Sequence, residues 1–192
     1  MVDEKALLER ARTGDREAFD QLVRAHFPRV YAVAFRLVGN HEDAEDLAQD
    51  AFVKAHRALS WYRGEGAFAT WIYRIVVHLA RDRFRRVERR PVEAALVAPV
   101  ESRAGGGPAE ELDRRELQRV LLDSLRRLPE RLRTPLVLRT MEGLDYRDVA
   151  EATGVTPDTA RTQVMKARRA LARVMRPFLG GLGGSERTGG EQ

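Results

Sequence analysis

The sequence predicts an all-α protein made of two small helical domains joined by a flexible linker, and three observations support this. Apolar residues recur at helical spacing over about 3–88 and again over about 111–179. No segment alternates polar and apolar residues as a half-buried strand does. The period is lost in PVEAALVAPVESRAGGGPAE, which holds three prolines and three consecutive glycines. We therefore expect a first domain at 1–90, a linker at 91–110, a second domain at 111–179 and a disordered tail at 180–192.

Composition excludes several classes of protein. The 192 residues are 43% hydrophobic and 33% charged, which is typical of compact helical domains. The chain has no cysteine, so disulfides, thiolate zinc sites and cysteine nucleophiles are excluded. The first residues, MVDEKALLERARTGD, lack an apolar signal core, and no run approaches the ~18 apolar residues of a membrane span. We expect a cytoplasmic protein without membrane insertion.

The net charge of +5 is unevenly distributed. Residues 71–90 hold seven arginines against two carboxylates, and residues 157–176 hold six cations against one carboxylate. Residues 41–50 hold five carboxylates and no lysine or arginine. Two basic surfaces suggest two contacts with a polyanion, and one acidic surface suggests a basic protein partner.

The first domain is predicted to contain helices at about 3–14, 16–40, 41–62 and 67–89. The third of these buries an apolar stripe while polar and acidic residues crowd its first turns. Acids near a helix N-terminus are favoured by about 0.3–1 kcal/mol each, which explains two or three carboxylates better than five. We interpret the cluster as a docking surface for a basic partner. Its members are Glu42, Asp43, Glu45, Asp46, Gln49 and Asp50.

The fourth helix follows the loop WYRGEGAF and has an unusual basic face. Aromatic residues interleaved with arginines beside a glycine loop are typical of proteins that hold unstacked bases over a positive groove. Most aromatics at helical spacing are nevertheless core, so we assign Phe68, Ile72, Ile75 and Leu79 to the core. The residues assigned to nucleic acid are Tyr62, Arg63, Gly64, Glu65, Gly66, Trp71, Arg74, His78, Arg81, Asp82 and Arg85.

The second domain contains a helix-turn-helix pattern. In LDYRDVAEATGV, Asp145 is a plausible N-cap and Gly154 can take the left-handed conformation that ends a helix. Thr156 then caps a second helix, with Pro157 at its first position. Two short helices joined by a tight turn, the second one basic, are typical of proteins whose second helix lies in the DNA major groove.

The second helix of this pattern has one apolar and one basic side. An apolar stripe at helical spacing is predicted to be buried, and it comprises Ala160, Val164, Ala167, Leu171 and Val174. A charged outer face is often only solvated, but the helix-turn-helix context favours DNA binding here. That outer face carries Thr159, Arg161, Thr162, Met165, Lys166, Arg169 and Arg173.

These segments together resemble the extracytoplasmic-function sigma factors, the smallest specificity subunits of bacterial RNA polymerase. The stretch EDAEDLAQDAFVKAHRAL resembles the helix that docks on the clamp coiled coil of the polymerase's largest subunit. The resemblance puts Asp46, Gln49 and Asp50 at the contact positions. The stretch YRGEGAFATWIYRIVVHLARDRFRR resembles the segment that melts and reads the minus-ten element, with the 62–66 loop, His78 and Asp82 around a flipped base.

The segment from LPERLRTPLVLRT to MKARRAL is similar to the fourth conserved region of the family. The resemblance implies minus-35 contacts, and with the outer-face residues the set is Arg139, Thr159, Arg161, Thr162, Met165, Lys166 and Arg169. The resemblance spans about residues 5–178. The chain departs from the family at two positions: His78 stands where the family often has Asn, and Asp158 stands where the family has a glycine. The resemblance implies a non-catalytic subunit without cofactor or metal. The resemblance also implies that core polymerase and promoter DNA are partners. It further implies that an anti-sigma factor can hold the protein inactive until an envelope or environmental stress signal releases it.

Three other functions are less consistent with the residues. A helix-turn-helix repressor would need only the second domain and leaves the acidic helix and the Trp-rich loop unexplained. An enzyme is disfavoured because GEGAFA fits a dinucleotide motif without a preceding strand, and the four histidines lack metal-ligand spacing. A structural helical adaptor would not need two separated basic helices. Promoter-specific transcription on adding the protein to core polymerase separates all four.

Overall fold

A computed structural model gives the fold, and it describes residues 3–62, 64, 66–87 and 108–181, with side chains described at 3–62, 64, 66–85 and 115–176. Every regular element in these ranges is helical, so the all-α prediction is confirmed. The helices are α1 Glu4–Arg12, α2 Arg16–Val38, α3 His41–Ala58, a 3₁₀ turn Leu59–Trp61, α4 Phe68–Val87, α5 Pro108–Arg127, α6 Glu130–Thr140, α7 Tyr146–Thr153 and α8 Pro157–Gly181.

Two ends of helices fall inside segments that the sequence predicts to be irregular. Helix α5 begins at Pro108, within the range predicted as linker, and α8 extends to Gly181, just into the predicted tail. The rest of the predicted linker and tail lies outside the described residues.

Side-chain caps fix where the helices of the first domain begin. The Asp15 carboxylate accepts the Ala18 N–H at 3.0 Å, and the Asn40 side-chain oxygen accepts the Asp43 N–H at 2.8 Å. Helix α2 ends at Gly39, whose φ of 87° is the left-handed conformation that favours glycine. Because only Gly39 and Asn40 separate α2 from α3, the two helices form a tight antiparallel pair.

The core of the first domain lies between α2, α3 and α4. Of the predicted core residues, Phe68 and Ile72 are fully buried, whereas Ile75 and Leu79 are partly buried against the same core. Helix α3 is narrow on its buried side because it uses mostly alanine there, which allows α2 to approach closely. The α3 residues on this side are Ala44, Leu47, Ala48, Ala51, Phe52 and Ala55.

The second domain packs α8 against α6 and α7, and the amino-terminal half of α8 buries the predicted stripe at Ala160, Val164 and Ala167. The prediction fails at the end of the stripe. Val174 is 46% exposed, and Met175, 8% exposed, takes its place. The reason is that α8 also packs against α5, so the side of the helix that is covered rotates by one residue.

The two domains pack against each other. Helix α4 of the first domain packs on α7 of the second, and α2 packs on α5 and α6. Sequence periodicity assigned each helix one buried face and gave no sign of this interface, in which buried apolar residues of both domains join one core and ion pairs link α4 to the second domain.

Candidate polymerase and nucleic-acid interfaces

Helix α3 presents a row of exposed residues on the side away from the core. Asp46, Gln49 and Asp50 are exposed at spacings of three and four residues, which puts them on one helical face. Val53 continues the same face and is 48% exposed, unusual for a large apolar side chain in this protein. We call these four residues the α3 docking face. Val53 was missed from the sequence, although its spacing from Asp46 and Asp50 places it there.

Asp43 of the acidic cluster points elsewhere. Its carboxylate pairs with Arg83 of α4 and accepts a hydrogen bond from the Asn40 side-chain amide at 2.8 Å. Asp43 therefore ties the first turn of α3 to α4, and the docking surface predicted from six residues is smaller than the sequence suggests.

Tyr62 is buried beneath the loop before α4 and fixes the conformation of that loop. The Tyr62 ring is 5% exposed, and its hydroxyl donates to the Gly66 carbonyl at 2.8 Å. Burial raises the pKa of this hydroxyl. Tyr62 was assigned to nucleic acid and is corrected to a buried residue that holds the loop closed. Gly64 and Gly66 are exposed with φ of 75° and 92°, so both are in the left-handed region. The other two loop residues assigned to DNA, Arg63 and Glu65, lie outside the described residues.

Two tryptophans border a cleft beside this loop. Trp71 is half-buried, with its ring centroid 4.8 Å from that of Tyr62. Trp61 is 84% exposed at the end of the 3₁₀ turn. Both line the cleft together with Arg74. Trp61 begins the loop WYRGEGAF, and the sequence analysis assigned it no role. Its position between buried Leu59 and buried Tyr62 makes it face outward.

The basic face of α4 divides into two groups. His78, Asp82 and Arg85 are exposed. His78 Nδ1 donates to the Arg74 carbonyl at 2.7 Å, which leaves Nε2 of the neutral ring as a hydrogen-bond acceptor toward solvent. Arg74 and Arg81 are instead half-buried and turned toward the second domain.

The helix-turn-helix is built by the predicted caps. The Asp145 carboxylate accepts the N–H groups of Arg147 and Asp148, each at 2.8 Å, and these bonds hold its pKa below the ordinary value. Helix α7 ends at Gly154 with φ of 69°. The Thr156 hydroxyl accepts the Thr159 N–H at 3.2 Å, and Pro157 is the first residue of α8. The predicted boundaries of α7 and the predicted start of α8 are therefore confirmed.

The outer face of α8 is open. Its seven predicted residues are all exposed, and Met165 is 47% exposed. Arg139 of α6 is half-buried, donates to the Leu144 carbonyl at 2.7 Å and lies 4.8 Å from the Tyr146 ring centroid. The Arg161 guanidinium lies 5.2 Å from the same ring. The Tyr146 ring therefore holds one arginine of α6 beside one of α8.

Comparison with known proteins decides the family. The model of Sigma-70 region 2 matches residues 22–90, and that of Sigma-70 region 4 matches residues 118–171. The RNA polymerase sigma-H factor of Pseudomonas aeruginosa is 34% identical over 184 residues, which cover 92% of this chain and 95% of that protein. The ECF RNA polymerase sigma-E factor of Haemophilus influenzae is 34% identical over 186 residues, covering 93% and 98%.

The chain belongs to the extracytoplasmic-function group of the sigma-70 family. It is thus an RNA polymerase sigma factor, which directs the core enzyme to promoter DNA. The region 2 match contains α3 and α4, and the region 4 match contains α6 and α7 with most of α8.

Solved structures agree with this assignment. The sigma factor is similar to CnrH in its complex with the cytosolic domain of CnrY, with a TM-score of 0.64, 26% identity and coverage of 91% of this chain and 97% of that one. Its fold also matches RpoE of Bartonella quintana, solved with the anti-sigma factor NepR, at a TM-score of 0.65, 23% identity and coverage of 82% and 96%. None of the helices that the structure describes is long and apolar enough to cross a membrane.

Proposed function

We propose that this sigma factor is a non-catalytic, cytoplasmic subunit that recognises promoters at two elements. Region 2, the first domain, docks on the clamp coiled coil of core polymerase and captures melted minus-ten bases. Region 4, the second domain, reads the minus-35 element through α8. The observation that supports this most is the presence on one chain of an exposed acidic helix face and a separate exposed basic recognition helix.

The α3 docking face has the chemistry expected for a basic helical partner. Asp46 and Asp50 supply exposed carboxylates, Gln49 supplies an amide, and Val53 supplies an apolar centre that a partner would cover. No basic residue contacts these two carboxylates in the described part of the chain, so both are free to pair with a partner's cations. Asp43, by contrast, is already paired with Arg83 and is left out of the proposed surface.

The proposed minus-ten surface follows the cleft beside the loop and the exposed face of α4. Trp61 and Trp71 offer aromatic faces on which unpaired bases stack. His78 Nε2 accepts and Asp82 accepts, so the pair is suited to a base edge that presents N–H donors. Gly64 and Gly66 allow the backbone to approach the strand closely, and Arg85 remains open for a phosphate.

The proposed minus-35 surface is the outer face of α8. Residues near the start of a recognition helix contact base edges in helix-turn-helix proteins, which favours Arg161, Thr162, Met165 and Lys166 as readers. The Thr159 hydroxyl is hydrogen-bonded to the Thr156 hydroxyl at 2.9 Å, and Arg169 lies further along α8, so both residues suit phosphate contacts. Arg139 supports Arg161 through the shared Tyr146 ring.

Regulation by an anti-sigma factor is part of the proposal. CnrH was solved bound to the cytosolic domain of CnrY, and that protein has the same fold and nearly the same extent as this chain. We propose that a partner of this kind holds the sigma factor inactive and releases it under envelope or environmental stress.

The experiment that tests the function is reconstitution with core RNA polymerase. Adding the chain to core should give transcription that starts at defined sites in a library of promoter fragments, whereas core alone and the chain alone should give none. The double variant Asp46→Arg with Asp50→Arg should lose core binding by at least about tenfold while keeping its helical content. The matched control is Glu17→Arg with Asp20→Arg, which reverses two exposed carboxylates on α2. Equal core affinity of the two double variants at physiological salt would refute the docking assignment.

A further inference from the structure

The interface between the two domains uses arginines that the promoter strand would need. Arg74 of α4 forms an ion pair with Glu151 of α7. Arg81 of α4 donates from Nε to a Glu130 oxygen at 3.3 Å and from Nη2 to the Thr153 carbonyl at 3.0 Å. Both arginines belong to the face of α4 assigned to minus-ten DNA, yet both are held by region 4.

Region 4 also places carboxylates in the cleft that the tryptophans border. Asp148 and Glu151 line this cleft opposite Arg74, Trp61 and Trp71. Burial, and then the neighbouring Asp145 carboxylate, raise the pKa of Asp148, as expected for an acid crowded among other acids. The cleft proposed to receive an unpaired strand is therefore lined on one side by negative charge.

Glu142 makes a third polar contact between the domains. The Tyr73 hydroxyl donates to Glu142 at 2.6 Å, and burial followed by this hydrogen bond raises the pKa of Tyr73 well above its ordinary value. Arg36 lies 3.9 Å from the same carboxylate. This pairing is more buried than the other two and involves neither of the arginines assigned to DNA.

We propose that Glu130, Asp148 and Glu151, which we call the acidic edge of region 4, take the place of DNA phosphates on α4. Arg74 and Arg81 then bind either the acidic edge or the minus-ten strand, and promoter capture requires region 4 to leave α4. The inference rests on the proposed function, in that it assumes these arginines face promoter DNA.

The ion pairs of Arg74 and Arg81 are of a kind that a polyanion displaces. Glu151 is mostly exposed and the other three charged side chains are about a third exposed, and ion pairs of this kind are weak and screened by salt. The Nε atom of Arg74 is buried and finds no acceptor among the described residues, so the closed arrangement leaves one donor unsatisfied. A strand with regularly spaced phosphates offers that donor an acceptor and pairs both arginines at once.

The test uses the full chain and a neutral variant of the acidic edge, Glu130→Gln with Asp148→Asn and Glu151→Gln. The matched control is Glu17→Gln with Asp20→Asn and Glu116→Gln, which removes the same charge at exposed positions. Binding is measured by fluorescence anisotropy with a labelled mixed-sequence single-stranded oligodeoxynucleotide. The edge variant should bind about tenfold more tightly than the control, within the 5–150-fold range usual for coupled sites. The single variant Glu151→Gln should shift affinity in the same direction and serves if the triple variant folds poorly.

Domain separation is measured on the same proteins. Because the chain has no cysteine, Lys54→Cys with Arg147→Cys gives one donor–acceptor pair across the interface. Energy transfer should fall when the oligonucleotide is added to the otherwise unchanged chain, and should already be low in the edge variant. Oligonucleotide affinity equal to that of the control, or energy transfer unchanged by the oligonucleotide, overturns the inference.

A further substitution separates this inference from the proposed function. Arg74→Ala is placed in the edge variant, where the arginine is free of region 4. Weaker oligonucleotide binding there assigns α4 to DNA, and the inference is then judged by the edge variant alone. Unchanged binding shows that Arg74 does not contact the strand, which overturns both the minus-ten assignment and the inference that depends on it.

Discussion

The outer face of α8, proposed to read the minus-35 element, is too long for all of its cations to reach base edges. Arg161 and Lys166 lie five residues apart, whereas Arg161 and Arg173 lie about 18 Å apart along the helix axis at 1.5 Å per residue. The major groove is about 12 Å wide, so one helix does not bring both ends of this row to base edges. We predict that Arg161→Ala and Lys166→Ala change which minus-35 sequences are preferred, and that Arg173→Ala weakens all sequences alike.

The two kinds of contact differ in magnitude and in salt dependence. Losing a base-reading side chain typically costs about 1–3 kcal/mol, which corresponds to roughly 5–150-fold at one base position. Losing a phosphate contact changes the slope of log affinity against log salt by about 0.9, so a fourfold rise in salt alters the ratio of variant to parent by roughly 3.5-fold. Arg161→Ala also removes an exposed cation–π contact with Tyr146, expected to contribute about 0.5–1 kcal/mol to stability.

The assay is competition among duplexes with randomised minus-35 sequences for the reconstituted holoenzyme, at two salt concentrations. Thermal unfolding of each variant controls for the lost Tyr146 contact, and Arg127→Ala, an exposed arginine at the end of α5, controls for loss of one positive charge. If Arg161→Ala and Lys166→Ala both keep the parent's sequence ranking and merely flatten the salt dependence, α8 does not read bases through these side chains.

Three further predictions follow from single side chains. Trp61→Ala should shorten the lifetime of the open promoter complex by roughly 5–150-fold, since base stacking contributes about 1–3 kcal/mol. Thermal stability should not change, because this ring is 84% exposed. Trp61→Phe should restore most of the lifetime. Gly39→Ala should lower the free energy of unfolding, measured in urea, by more than about 1 kcal/mol, because φ is 87° and the new Cβ would lie 2.6 Å from Arg126 Nε. The control is Gly14→Ala, which has a φ of 96° and open space around the new Cβ, so it measures the backbone strain alone. Folding lowers the pKa of Asp145 below 3.8, so the ionised cap should stabilise the folded state above that pH, and this contribution should be lost as pH falls through the folded pKa. Asp145→Asn keeps a cap but does not titrate, so it should flatten this part of an acid-unfolding curve.

The features that the sequence predicted well are those set by neighbours in the chain. Asp145, Gly154, Thr156 and Pro157 each act within four residues of their own position, so a helix-turn-helix can be predicted without any tertiary information. Helical periodicity likewise placed Ala160, Val164 and Ala167 in the core because the first half of α8 buries one face.

The features that were missed depend on residues far apart in the chain. Tyr62 was assigned to DNA because aromatic residues in a glycine loop suggest stacking, but its ring is enclosed by Phe68 and Trp71 once α4 folds back. Asp43 meets Arg83 forty positions later, and Tyr73 meets Glu142 sixty-nine positions later. Neither pair has a signature in local spacing. Spacing along the chain therefore did not predict which residues meet at the interface between the domains.

Packing of α3 against α4, to which the pairing of Asp43 with Arg83 adds, couples the first turn of α3 to the last turns of α4. Arg83 and Phe68, at the far end of α4, are about 22 Å apart at 1.5 Å per residue. A tilt of α3 by about 5° would therefore displace the loop end of α4 by about 2 Å if the two helices move together. In the proposed complex, the position of the DNA strand against the tryptophans would then depend on how α3 docks on its partner. A misplaced α3 would then reduce promoter melting through the position of α4, although no residue of either proposed binding surface is changed.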